Sequence, residues 1–232
     1  METIIGREAE IRRLSAAVES PRPEFVALYG RRRVGKTFLI NQMFKNQYTF
    51  KMTGVIEGSL KDQFTAFADA MNDYGFDMPE RPKDWMQAFI MLKNALKSRV
   101  NSGQRCVIFI DELPAMDAEG SNVAAAIGYF WNNWASLYDN IVFIICGSAT
   151  SWMITNVIDS KGGLHDRITV EMPIHPFTLK ETEAYLEEHH FVWNRQMTLQ
   201  AYMVFGGIPY YLSLLDPAES LVQNVDRLFF SQ

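Results

Sequence analysis

The residues with the clearest chemical purpose are Gly30-Arg31-Arg32-Arg33-Val34-Gly35-Lys36-Thr37. Glycines at both ends let backbone approach a phosphate group. The N–H groups of such a loop, with those of a following helix, surround phosphate oxygens. Lys36 is spaced to reach β and γ phosphates, Thr37 to offer its hydroxyl to Mg²⁺, and Phe38 follows at the start of the helix. Average residue usage gives this spacing by accident in about one chain of this size in a hundred. A glycine-bounded surface turn also leaves the apolar strand before it and the helix after it unexplained. Arg31, Arg32 and Arg33 read either as a solvated basic turn, or as positive potential around the phosphates or a contact to a neighbouring domain. Sequence alone does not divide these roles among them.

Nucleotide binding becomes hydrolysis only when water is ordered and transition-state charge is stabilised. Ile108-Phe109-Ile110-Asp111-Glu112 sets two carboxylates at the end of an apolar run, the position of a Walker B motif. Asp111 would hold Mg²⁺ through water, and Glu112 would orient or polarise the attacking water. On its own the pair would read as a helix cap followed by an exposed glutamate; behind a phosphate loop the catalytic reading is stronger. After the next apolar run, Gly147-Ser148-Ala149-Thr150 offers hydroxyls that either touch the γ-phosphate or catalytic water, or cap a helix over Ser151 to Val157. Ser148, nearest the run, is the first choice for the former.

These groups need elements to hold them. Ile11, Leu14, Ala17 and Val18 recur at helical spacing, predicting a helix over Glu8 to Val18 that Pro21 and Pro23 end. Strand Phe25 to Tyr29, a turn from Gly30 to Gly35 and helix Lys36 to Phe44 follow, with Phe38, Leu39, Ile40 and Met43 packing inward. Further on, the pattern predicts strand Tyr48 to Met52 and helices Leu60 to Tyr74 and Trp85 to Val100, separated by Pro79 and Pro82. Strand Arg105 to Ile110, helix Val123 to Leu137 and strand Ile141 to Cys146 come next, then a loop containing Gly162-Gly163 and strand Ile168 to Glu171. Alternating strands and helices argue for an α/β fold with a parallel sheet. Beyond Phe177 the pattern is helical only: Thr178 to Glu181 is a capping box, and helices follow near Gln196 to Phe205, Tyr210 to Leu214 and Leu221 to Phe230. The expected division is 1–176 for the α/β core and 177–232 for a helical unit.

The 232 residues suit one such core plus a small appendage, with 48% hydrophobic and 21% charged residues and a net charge of −5. That charge argues against nucleic acid along the whole surface and leaves a local DNA contact open. Cys106 and Cys146 sit in apolar runs and read as small buried hydrophobes. His165, His175, His189 and His190 lack metal-ligand spacing with them. Neither a signal-peptide core nor a membrane-length apolar run occurs, so a cytoplasmic protein with no membrane partner is expected. No acceptor constellation suggests a small-molecule kinase, and no Asn-Lys-x-Asp guanine motif suggests a GTPase.

Taken together, Ile5-Gly6-Arg7-Glu8, the Gly30–Thr37 loop with Tyr29 before it, Ile110-Asp111-Glu112, Cys146-Gly147-Ser148, Leu164-His165-Asp166-Arg167 and Gly206-Gly207-Ile208-Pro209-Tyr210-Tyr211-Leu212 resemble the archaeal-type ATPases, AAA+-like P-loop proteins of the STAND group that are also widespread in bacteria. The resemblance spans nearly the whole chain. It implies an ASCE-type P-loop NTPase sheet, with the strand before Ser148 between the phosphate-loop strand and the Asp111 strand. It implies that Ile5, Gly6 and Arg7 pack near an adenine, that ATP and Mg²⁺ are the cofactors, and that the helices after Phe177 form a small lid domain. Arg167 matches an arginine finger, supplied in cis or by a neighbouring copy in a homo-oligomer. The family usually reads Leu-Tyr-Gly-Arg or Leu-Tyr-Asn-Arg there, so His165 and Asp166 depart from it, and Asp166 sets a negative charge beside the cation. The resemblance further implies a winged-helix segment and a nuclease-like C-terminal effector beyond Gln232. An ATP-hydrolysing switch is the first reading; a slow-turnover nucleotide-binding module is the second.

Overall fold

In the computed structural model, which describes residues 4–45, 47–77 and 80–231, five parallel strands form one sheet in the order β2-β3-β4-β1-β5. The strands are β1 (Glu24–Tyr29), β2 (Phe50–Thr53), β3 (Cys106–Asp111), β4 (Ile141–Gly147) and β5 (Val170–Pro173). Every residue of β1, β3 and β4 is buried, and apart from Glu24 at the start of β1 and Asp111 at the end of β3 they form near-continuous apolar runs rather than alternating ones, as expected of strands covered on both faces. The strand leading to Ser148 lies between the phosphate-loop strand and the Asp111 strand, as the resemblance implied. β5 is displaced by two residues from its expected span because Val170 to Pro173 are the residues in register with Val26 to Tyr29.

Helices α1 (Glu8–Glu19) and α2 (Lys36–Phe44) cover one sheet face. There Leu14, Leu39 and Ile40 pack with Val26, Leu28, Phe109 and Ile144. α3 (Leu60–Asp73), α4 (Trp85–Asn101) and α5 (Val123–Asn133) cover the other face, where Phe67, Trp85, Leu92, Phe130 and Trp131 pack with Phe25, Phe50, Ile108 and Phe143. α4 begins because the Asp84 side chain accepts from Gln87 N at 2.7 Å. Pro82 is buried just before it, while Pro79, the other expected chain breaker, lies outside the described residues, as do residues 1–3 and Gln232. α5 stops at Asn133, short of the expected Leu137. Trp134 leaves helical geometry to enter the core, and Ala135–Leu137 form a separate short turn. α6 (Thr150–Met153) runs into a π-helical turn, Ile154–Ile158.

The chain after β5 has its own apolar core. α7 (Leu179–Glu188), α8 (Arg195–Phe205), α9 (Pro209–Leu212) and α10 (Leu221–Phe229) enclose Phe177, Leu186, Ala201, Phe205, Leu212 and Leu221. α7 starts at the expected capping box: Thr178 Oγ1 and N both donate to Glu181 Oε2, and Glu181 N donates back to Thr178 Oγ1. These helices are fastened to the sheet side by Phe177 N donating to Gly207 O at 2.7 Å. A Cβ on Gly207, whose φ is +64°, would meet Phe177 O at 2.2 Å. Gly207→Ala is therefore expected to destabilise the protein by about 2–3 kcal/mol through strain and enforced separation of the two segments. A lowered midpoint in urea unfolding would show it; an unchanged midpoint would refute the tight approach.

Candidate functional site

Phosphate-loop geometry begins with the chain leaving β1. Tyr29 O accepts from Ile174 N at 2.7 Å, and a Cβ on Gly30 would meet Ile174 O at 2.1 Å. Only glycine lets β1 end against that crossing segment. Gly35, at φ +89°, turns the chain into α2, whose first turn carries Lys36 and Thr37. Val34 is buried behind the loop, whereas Phe38, expected to pack inward, is 38% exposed and lines the cleft instead.

Lys36 is only 5% exposed, and its Nζ donates to Gly30 O and Arg31 O, each at 2.8 Å. Burial pushes its ammonium below the ordinary lysine range, with Cys146, Glu112 and Asp111 pulling the other way. A partly desolvated cation with no ion-pair partner among the described residues is well suited to an anionic ligand. Thr37 Oγ1 donates to Asp111 Oδ2 at 2.8 Å, so the two residues expected to serve Mg²⁺ meet although they are 74 positions apart. A hydroxyl and a carboxylate at a phosphate loop fit Mg²⁺, which takes hard oxygen ligands and usually keeps waters and substrate phosphates in the rest of its shell. Asp111, nearly buried as the last residue of β3, uses its other oxygen to accept from Glu112 N. It is thus no helix cap.

Glu112 adopts the left-handed conformation, φ +48°, a strained backbone of the sort held at functional sites. It lines the cleft, and its Oε2 accepts from Ser148 Oγ at 2.9 Å. Ser148 follows β4, as β4 brings it beside β3, and its hydroxyl caps no helix: the residue preceding α6 is Ala149, which makes no side-chain cap. Arg32 Nε completes the chain by donating to Ser148 Oγ at 3.4 Å. The three arginines therefore differ. Arg32 faces Ser148, Arg33 reaches Tyr211 on α9, and Arg31 is exposed and contributes its carbonyl to Lys36.

Loop, α2, the N-terminal segment and the C-terminal helices enclose a cleft of about 850 Å³, the size of a small-molecule site. Ile4, Ile5 and Arg7 line it. Arg7 is buried, donating to Val34 O at 3.1 Å and His175 O at 2.6 Å with its guanidinium over the Phe177 ring. Its role is to fasten the N-terminal segment to the phosphate loop. Beside it, Gly6 is close enough to α7 that a Cβ would meet Glu181 Oε1 at 2.8 Å. Sequence reading missed the opposite wall, formed by Tyr185, Glu188, His189 and Tyr210. The available signal was spacing: Tyr185 and Glu188 lie four and seven residues after Glu181, hence on its helix face.

Arg167 is elsewhere. β5 runs parallel to β1 with Val26 opposite Val170, and Thr169 N donates to Phe25 O. Arg167 therefore lies at the N-terminal edge of the sheet, whereas the phosphate loop leaves its C-terminal edge, about 20 Å away at 3.3 Å per residue. The expectation that this arginine could swing to the γ-phosphate of its own chain is corrected by that topology. Its expected ion-pair partners are also engaged otherwise: Asp166 pairs with His165 at 3.0 Å, and Glu171 accepts from the Tyr29 hydroxyl. Burial, followed by the Glu171 contact, pushes the Tyr29 phenol up to about 12. Both cysteines are buried and free, and burial raises the thiol of each.

Comparison with known proteins bears on the fold and the family. An uncharacterised protein of Methanocaldococcus jannaschii is 28% identical over 218 residues, covering 90% of this chain and 43% of its own length. The chain thus spans less than half of that relative. Among solved structures, the Walker-type ATPase of Pyrococcus abyssi superposes with a TM-score of 0.64 at 16% identity, over 97% of this chain and 72% of that one. The ORC2 protein of Aeropyrum pernix, solved in ADPNP–ADP complexes, gives 0.67 at 13% identity, over 100% and 71%. At such identities the likeness is one of fold. The model of a family described as an ATPase domain predominantly from Archaea matches residues 4–215, so with phosphate loop, acidic strand end and cleft in place, the chain belongs to that family of ATPase domains.

Proposed function

We propose that this chain binds ATP with Mg²⁺ and hydrolyses the γ-phosphate, working as the nucleotide switch of an AAA+-like, STAND-type protein in which the helices after Phe177 act as a lid. The observation that carries the reading is the convergence of buried Lys36, the Thr37–Asp111 pair and Glu112 at one end of the sheet. The loop amides and Lys36 would hold the phosphate chain, with Thr37 and Asp111 holding Mg²⁺. The ion supplies charge neutralisation to the phosphates. Glu112, aimed by Ser148, would orient water and accept its proton, while Arg32 adds positive charge beside the same hydroxyl. ATP rather than GTP is chosen because the sequence carries no guanine-specific motif. The test is steady-state phosphate release: turnover of ATP that requires Mg²⁺ is expected, and no release above a buffer blank would reject hydrolysis.

A slow-turnover module is the second reading, favoured by the far placement of Arg167, which leaves the cleft without that cation from its own chain. If Arg167 serves catalysis, it does so on a neighbouring copy. Arg167→Ala should therefore keep the parent rate at concentrations where the chain is monomeric. If activity rises on self-association, the variant should lose that rise, and mixing it with Lys36→Ala protein should restore part of it. A rate loss persisting in the dilute monomer would contradict this placement.

A further inference from the structure

Arg33 belongs to the phosphate loop, yet its recorded contacts run to the C-terminal helices. Its guanidinium carbon lies 4.4 Å from the centre of the Tyr210 ring and 5.4 Å from that of Tyr211. Its Nη1 donates to the Tyr211 hydroxyl at 3.3 Å, and its carbonyl accepts from Tyr210 N at 3.4 Å. No ion pair among the described residues involves it. Its φ of +70° is the left-handed conformation that glycine adopts most readily.

The helix it grips is a single turn, α9, entered through Gly206 and Gly207, both at positive φ, and pinned on its other side by Leu212 in the C-terminal core. Pro209, Tyr210 and Ser213 stand on the cleft wall with Arg33 itself. So short a helix holds its place through contacts rather than through its own hydrogen bonds. A planar guanidinium stacked on aromatic faces and donating to a hydroxyl provides such contacts.

We propose that Arg33 is a positioning residue for nucleoside recognition: it fastens α9 to the phosphate loop and so sets the wall against which the nucleoside half of the ligand lies. Its side chain is not itself a phosphate ligand. The inference rests on the nucleotide reading of the cleft, and it assigns the third loop arginine a role distinct from that of Lys36. Changes in the loop would reach the C-terminal helices through this residue.

Arg33→Gly tests it cleanly, because glycine accepts the +70° backbone without strain while removing the side chain. Binding of ATP and of inorganic tripolyphosphate, each with Mg²⁺, is compared by calorimetry, alongside amide hydrogen exchange of residues 208–215 without ligand. The proposal expects ATP affinity to fall at least about tenfold and tripolyphosphate affinity to change less than about threefold. Exchange in 208–215 should speed up at least about tenfold, with a smaller rise in Tyr211→Phe. Equal weakening of both ligands would make Arg33 a phosphate ligand and overturn the proposal. Unaltered exchange and ATP affinity would return it to a solvated turn. If parent protein bound neither ligand, the nucleotide reading would fail, whereas the exchange result would still decide whether Arg33 holds α9.

Discussion

Lys36→Ala weakens ATP–Mg²⁺ binding at least about a hundredfold, the largest effect expected of any single substitution in the loop. Hydrogen bonds to charged groups contribute about 1.5–3 kcal/mol each, and a lysine reaching both β and γ phosphates makes two of them. The effect on the fold is small by comparison because two terms oppose each other. Removing the side chain relieves the cost of burying an ammonium, whose pKa is already lowered by that burial. It also takes a donor from Gly30 O and Arg31 O, a loss of about 1 kcal/mol for each ordinary hydrogen bond. The thermal midpoint should therefore stay within a few degrees of the parent while titration calorimetry shows the loss of affinity. Unchanged affinity in the folded variant would remove the loop from the binding site.

Glu112→Gln separates binding from chemistry. The amide keeps an oxygen that can still accept from Ser148 Oγ, so the strained backbone and the side-chain direction survive. What disappears is the carboxylate that takes a proton from water, and general-base assistance is worth about 10²–10⁴ in rate. ATP affinity should remain within about threefold of the parent, while phosphate release falls at least about a hundredfold. Glu112→Ala is a poorer test, because it also leaves Ser148 without its acceptor. Hydrolysis of ATP by Glu112→Gln at the parent rate would make Glu112 a surface residue of the turn.

What could be read from residue order, and what could not, follows from distance along the chain. The Gly30–Thr37 loop is contiguous, flanked by its own strand and helix, so spacing alone located it and placed α2 at Lys36 to Phe44. Asp111 and Ser148 were legible for a related reason: each ends or follows an apolar strand, and parallel strands deliver such residues to the same sheet edge. That rule also exposes the error over Arg167, which precedes its strand and so lies at the opposite edge. Nearness in sequence to Gly162-Gly163 carried no information about nearness to phosphate. Spacing sets Tyr185 and Glu188 on the Glu181 face of α7, but that this face and Tyr210 wall the cleft depends on how the C-terminal helices dock, through Phe177, Gly207 and Arg33. Trp134 illustrates a smaller failure: an apolar run continued the helical period to Leu137, but packing of that indole broke the helix at Asn133.

The central claim is that the phosphate loop, Thr37, Asp111 and Glu112 form one Mg²⁺–ATP site. A crystal structure with Mg²⁺ and a non-hydrolysable ATP analogue tests it most directly. The account predicts phosphate oxygens against the backbone amides of the loop and the Lys36 ammonium, the metal beside Thr37 and Asp111, and the terminal phosphate facing Glu112. Nucleotide bound away from the Gly30–Thr37 loop, or bound there with Thr37 and Asp111 remote from the metal, would contradict it.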